Sequence, residues 1–125
     1  MGYRSDVMAV FYTYDPSEYP AIKLFIDENI PEWFRGDEYM STFERGDNLR
    51  GVKFHITDVK WYPSYADIDG FERGMGVFKG LADGTDSKWC FEFVRLGEEV
   101  EDIEERQSYG SNNLLYVSRS IECDY

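Results

Sequence analysis

Apolar and polar positions along the chain fall into blocks with two periods. Residues 7–14 (VMAVFYTY) are a continuous β-branched and aromatic run. Such a run is too short for a buried helix and fits a strand covered on both faces. Asp15, Pro16 and Glu18 come next as a cap, a first-turn proline and a capping partner. Tyr19, Ile22, Phe25, Ile26 and Ile30 then share one helical stripe, with Lys23, Asp27 and Glu28 outside it, and Pro31 stops the helix. Residues 31–48 carry no clean period; within them 37–44 reads equally as a short helix or a strand.

From residue 49 to 62, Val52, Phe54 and Ile56 alternate with Lys53, His55 and Thr57, after which the apolar set moves to Val59 and Trp61. A one-residue shift sends every later side chain to the other face, so a β-bulge is expected near Thr57 and Asp58. Residues 64–81 return to the helical period through Ile68, Phe71, Met75 and Phe78. Gly70, Gly74, Gly76 and Gly80 interrupt that helix. Each costs about 1 kcal/mol relative to Ala, so they point to close packing or to a broken helix. In residues 88–96, Trp89, Phe91 and Phe93 alternate with Cys90, Glu92 and Val94, as in a strand. Residues 114–121 (LLYVSRSI) read as the last strand. Residues 108–113 have turn composition, which predicts a hairpin pairing 102–107 with 114–121.

The resulting order, β-α-β-α-β-β-β, predicts an α+β two-layer sandwich: a mostly antiparallel sheet of four or five strands with two helices. A ferredoxin-like arrangement with an extra C-terminal hairpin is one candidate. No linker divides residues 1–125, so a single domain is expected.

Composition changes this picture in three ways. With 42% hydrophobic and 18% aromatic residues, the 125-residue chain can form a core despite its net charge of −12. That charge, from 25 acidic and 13 basic residues, repels phosphate and argues against direct nucleic-acid binding. No run of 18 apolar residues exists and the N-terminus lacks a secretory pattern, so neither a membrane partner nor export is expected.

Catalytic chemistry is hard to assemble. Cys90, Cys123 and His55 are the only sulfhydryl and imidazole groups, too few for a structural zinc site. The thiols read as buried and reduced, or as a disulfide if their strands are neighbours. His55 lies in the polar phase of its strand, without an orienting partner in register. Gly74-Met75-Gly76 lies within a helix pattern, so it is no phosphate cradle. No enzyme activity, metal or cofactor is expected.

Two residue groups stand out instead. Residues 98–105 hold six carboxylates: Glu98, Glu99, Glu101, Asp102, Glu104 and Glu105. They suit a solvated hairpin, a face for a basic protein, or a local mimic of a phosphate backbone; a cation site lacks the EF-hand spacing. Trp33, Phe34, Tyr39 and Phe43, with Trp61, Tyr62 and Tyr65, supply more aromatics than two helices need. They either complete the core or anchor a partner; Trp33, Phe34, Trp61 and Tyr62 are the candidate anchors.

The opening Met1-Gly2-Tyr3-Arg4-Ser5-Asp6-Val7, the run Trp61-Tyr62-Pro63-Ser64-Tyr65, residues 93–99 with Asp102-Ile103-Glu104, and Val117-Ser118-Arg119-Ser120-Ile121 together resemble a family of small acidic proteins of tailed bacteriophages. The resemblance spans nearly the whole chain and contains no catalytic motif. It implies an accessory product acting in the bacterial cytoplasm; Asp102 and Arg119 could equally be a fold-defining cross-strand pair. The expected function is therefore non-enzymatic: binding and modulating or inhibiting a host protein, such as a defence or nucleic-acid-processing factor, through an acidic and aromatic surface. The alternatives are a small-molecule or nucleotide-binding module, with the helix glycines, Trp61 and Tyr62 lining its pocket, and a homodimer built on edge strands.

Overall fold

The computed structural model describes residues 3–99, 101–117 and 121–123. The first strand forms where the β-branched run predicts it, as β1 (Ser5–Thr13), buried on both faces. Asp15 caps the turn after it, the aspartate side chain accepting from the Ser17 amide at 3.0 Å. The capped element is a single 3-10 turn, Pro16–Glu18, and α1 (Tyr19–Asn29) begins only after it. The expected capping box does not close, because the Glu18 carboxylate accepts from the Trp89 indole at 3.0 Å. Ile22, Ile26 and Ile30 are buried, and Pro31 comes just past the end of α1 as expected.

The ambiguous stretch resolves into a 3-10 turn (Glu32–Phe34) and a strand, β2 (Met40–Arg45), which hairpins onto β3 (Leu49–Val59). The bulge falls where the period shifted: Val7 faces Ile56 but Ser5 faces Val59, and Asp58 adopts φ 53°. The Asp6 carboxylate accepts from the Asp58 amide at 3.0 Å and holds that kink. Gly51 leaves room on this strand. A Cβ there would lie 2.5 Å from the Phe43 ring and 2.7 Å from the Tyr12 Cβ.

Helix α2 (Ala66–Ala82) buries Ile68, Phe71, Met75 and Phe78, the predicted stripe. Its glycines divide into two kinds. Gly70 and Gly74 admit the end of α1: a Cβ would sit 2.9 Å from Pro31 Cγ and 2.8 Å from Ile30 Cδ1 respectively. Gly76 and Gly80 face open space.

The remaining strands are β4 (Trp89–Leu96), β5 (Ile103–Gln107), β6 (Leu115–Val117) and β7 (Ile121–Cys123). The main sheet is antiparallel throughout, in the order β2-β3-β1-β4-β5. Its β-α-β-β-α-β portion is the split βαβ arrangement of ferredoxin-like folds, extended by β5. The predicted hairpin of 102–107 with 114–121 is corrected: β5 pairs with β4, and β6 pairs with β7 in a separate two-stranded sheet. The contacts of Asp102 decide this, since the Gly97 amide bonds the Asp102 carbonyl at 2.8 Å and Arg95 grips the Asp102 carboxylate. Residues 118–120 of the predicted last strand, with Arg119 of the proposed Asp102 pair, lie outside the described residues.

The two faces of the sheet differ. Val7, Ala9, Phe11, Val52, Phe54, Phe91 and Phe93 meet both helices in one aromatic core, where Phe78 stacks on Trp89 at 4.9 Å. Burying each such side chain contributes about 1.5–3 kcal/mol. On the back face, Met8, Val10, Tyr12, Cys90 and Val94 are covered by Leu114 and Leu115. The sandwich therefore carries a partial third layer at its C-terminal end.

Candidate functional site

Four elements end together: β1 at its start, β3 at its bulge, β4 at its turn into β5, and α2 at its N-terminus. The predicted acidic residues lie here, but the fold divides them. Asp102 and Glu104 turn inward. Arg95 grips Asp102 in a fork at 2.8 and 3.1 Å and reaches Glu104 at 3.1 Å. Arg106 lies 4.7 Å over the Phe93 ring, pairs with Glu72 at 2.6 Å and also bonds Glu104. The same Glu72 accepts from the Trp61 indole at 2.8 Å.

These contacts show in the acidities. Hydrogen bonding from Arg95 holds the Asp102 carboxyl below the ordinary carboxylate range. Burial alone would raise Glu104, but hydrogen bonds from Arg106 and Arg95 outweigh it and leave that carboxyl lowered. Both residues serve the fold and are not free to steer a partner.

Glu98, Glu99 and Glu101 remain exposed on the turn. Glu98 accepts from the Arg4 amide at 2.7 Å, and the Glu99 amide donates to the Tyr3 hydroxyl at 3.0 Å. Gly97 makes this possible, because a Cβ there would collide with Asp102 and the Tyr3 hydroxyl. Glu105 is also exposed, but it alternates with Glu104 and so lies on the back of the sheet. The six carboxylates are three at the turn, two in an arginine network and one on the opposite face.

The aromatic anchors divide similarly. Phe34 (0% exposed) and Trp61 (7%) belong to the core, which corrects their assignment to a surface. Phe34 meets Phe71 at 4.9 Å and Trp61 meets it at 5.5 Å, so the irregular segment closes the core over α2. Tyr62 is half-buried, and its hydroxyl accepts from the Tyr3 amide. Trp33 alone is open, at 53% exposure. It stands 5.1 Å from Tyr39 on one wall of a groove of about 680 Å³ that also takes in Asp58, Lys60 and the exposed Tyr65. Tyr39 and Tyr65 belonged to the aromatic surplus in the sequence, but only the turn after Phe34 and the uncapped start of α2 bring them to Trp33's groove.

Arg4 joins the two halves. Its main chain bonds Glu98, while its guanidinium bonds the Asp58 carbonyl at 2.9 Å on the groove wall. The result is one surface: an aromatic groove beside an acidic turn. The anticipated pocket of helix glycines with Trp61 and Tyr62 does not form, since Gly70 and Gly74 face α1. Trp61 and Tyr62 instead border a separate cleft of about 430 Å³ with Arg95 and Arg106.

His55 is exposed on the back face, two positions beyond Lys53. Cys90 is buried and Cys123 half-buried, both as thiols in the back-face cluster. Burial, with the nearby Glu92 charge, pushes the Cys90 thiol up to about 11, far from a nucleophile's range. Among the described residues no group of three or more His, Cys, Asp or Glu is placed to hold a metal ion, and no helix is long and apolar enough to cross a membrane. Compared with known proteins, the chain matches no family model, no curated protein and no solved structure.

Proposed function

We propose that the chain is a non-enzymatic accessory protein of a tailed bacteriophage, acting in the bacterial cytoplasm by binding and modulating a host protein. The observation that carries this reading is the junction of the acidic turn with the aromatic groove. Glu98, Glu99 and Glu101 steer a basic partner over a distance of about 10 Å at ordinary salt. Trp33, Tyr39 and Tyr65 supply rigid contact area of the kind that anchors interfaces. The partner's contact surface is therefore basic and carries at least one side chain that fills the groove.

Affinity capture from bacterial lysate at low and moderate salt tests this. One stoichiometric protein is expected at low salt and lost at higher salt. Glu98→Gln/Glu99→Gln/Glu101→Gln should slow association and flatten the salt dependence, whereas Trp33→Ala should speed dissociation. A partner retained equally by both variants would refute this surface. The groove's volume of about 680 Å³ favours a second reading, a small-molecule or nucleotide module. A metabolite released on denaturing the purified protein, and absent from Trp33→Ala, would replace the first reading with this one.

A further inference from the structure

We propose that the aromatic groove takes an extended peptide segment, which adds as a short strand to the open edge of β3 at Thr57. This rests on the groove being the binding surface and says what kind of chain it receives. Strand β3 pairs with β1 from Arg50 to Val59, but with β2 only as far as Phe54. The His55 amide still bonds the Tyr39 carbonyl at 2.9 Å, so the odd-numbered residues of β3 turn their main-chain groups towards β2. Thr57 is the next of them. The Asp58 amide donates to the Asp6 carboxylate on the β1 side. The Thr57 carbonyl, at the other end of that peptide unit, therefore points to the β2 side, and the Thr57 amide follows by alternation. The line of β2 has ended by then, because the Tyr39 and Met40 amides both turn back to the Gly36 carbonyl. Thr57 is exposed, and among the described residues neither of its main-chain groups has a hydrogen-bond partner.

An open amide and carbonyl on one residue are what an added strand satisfies, since two facing residues exchange both bonds. The groove supplies the side-chain contacts. Besides Thr57 it is lined by the buried Ile56 and Ile68 and by the rings of Trp33, Tyr39 and Tyr65. A strand at this edge holds one set of alternate side chains against those groups and the other set in water. The segment therefore has no proline at the bonded position and seats a β-branched or aromatic residue in the groove. Arg4 and Lys60 on the wall offset Asp58 and Asp67. The call for basic residues thus comes from Glu98 and Glu99 beyond Arg4, and belongs to the end of the segment nearest that turn. Past the bulge Val59 faces Ser5 of β1, so the open edge is one residue long. The added pair selects an extended chain, and the rings supply most of the affinity.

The test selects a random peptide library, displayed on ribosomes, against the immobilised full chain. The expected products carry a β-branched or aromatic residue and basic residues towards one end. N-methylating the backbone amide that faces Thr57 should weaken a selected peptide about tenfold, the effect of losing one hydrogen bond. N-methylation at either neighbouring position should be tolerated. The Thr57 amide should exchange with solvent about tenfold more slowly when that peptide is bound. Thr57→Pro deletes the outward amide without breaking a bond inside the chain and should weaken the peptide to a similar degree, with circular dichroism confirming the fold. If that variant does not fold, the N-methyl scan decides the matter on the unaltered chain. A library that yields no binder, or peptides indifferent to N-methylation at every position, would overturn strand addition. Peptides that need Trp33 yet leave Thr57 exchange unchanged would overturn it too, while leaving the groove as the binding surface. Peptides bound as a strand by a chain that captures no host protein would support strand addition and overturn the host-protein reading instead.

Discussion

The two faces of the same strands are held in unlike ways. On the helix face, rings meet at fixed angles: Phe11 packs against Phe54, Phe78 and Phe91 with centroids 4.8–5.5 Å apart. Such a face accepts one partner shape, and a void there cannot close. On the back face a carboxylate grips backbone amides, and a short pair of strands supplies the apolar cover. The first kind of contact ties the domain into one cooperative unit. The second rests on a few main-chain hydrogen bonds and a small apolar cover, so local opening of that cover at less than the global cost is the expected outcome.

The largest effect that would sharpen this contrast comes from Phe71→Ala. Phe71 is fully buried among Phe34, Phe54 and Trp61, so its truncation should cost about 3–5 kcal/mol by urea unfolding. Leu114→Ala, also in a buried position, should cost less, because its loss is capped at the free energy of opening the cover. Hydrogen exchange at the Leu114 and Leu115 amides should accelerate there while core amides hold. Equal losses for the two substitutions would show that both faces belong to one unit.

A smaller pair of opposite signs lies on α2. Gly74→Ala brings a Cβ to 2.9 Å from the Asn29 carbonyl, against backbone that cannot give way. It should destabilise by about 1–3 kcal/mol by thermal melting. Gly76→Ala meets open space and should stabilise by up to about 1 kcal/mol. Matching signs would mean that α1 and α2 are not in contact at Gly74.

The smallest effect is electrostatic and belongs to the helix-side margin. Hydrogen bonds from Ser17 and Lys88 lower the Asp15 carboxyl from 3.8 to about 2. Asp102 and Glu104 are lowered by their arginine partners. A carboxyl depressed in the folded state binds its proton more readily when unfolded. Its stabilisation is thus complete above the unfolded value and lost as pH falls through the folded one. For Asp15 the window runs from 3.8 down to about 2. Asp15→Asn should flatten the acid-unfolding profile within that window and leave stability at pH 7 more nearly independent of Lys88. An unchanged profile would remove Asp15 from the account.

Much of the fold was legible in the chain because it rests on local periodicity. The alternation of Val52, Phe54 and Ile56 and its slip past Thr57 gave the strand and its bulge; the spacing of Ile68, Phe71, Met75 and Phe78 gave α2. Strand β2 was ambiguous because its burial alternates weakly, as expected of an edge strand. The C-terminal pairing was misread because residues 108–113 have the composition of a turn while serving as a crossover to the back face. Turn composition reports local backbone freedom, not which strand comes next.

The candidate site divides along the same line. Charge and aromatic content follow from composition, and the sequence by itself determined that this protein is acidic, rich in rings and carries two thiols and one imidazole. Which carboxylates face water was decided only by tertiary structure, since Arg95 and Arg106 reach Asp102, Glu104 and Glu72 across strands and from sheet to helix. Which rings stay exposed was decided there too. Phe34 and Trp33 are adjacent in sequence, yet one completes the core and the other stands open. The physical reason is that burial and ion pairing depend on separations across the folded chain, whereas periodicity reaches only a few residues to either side.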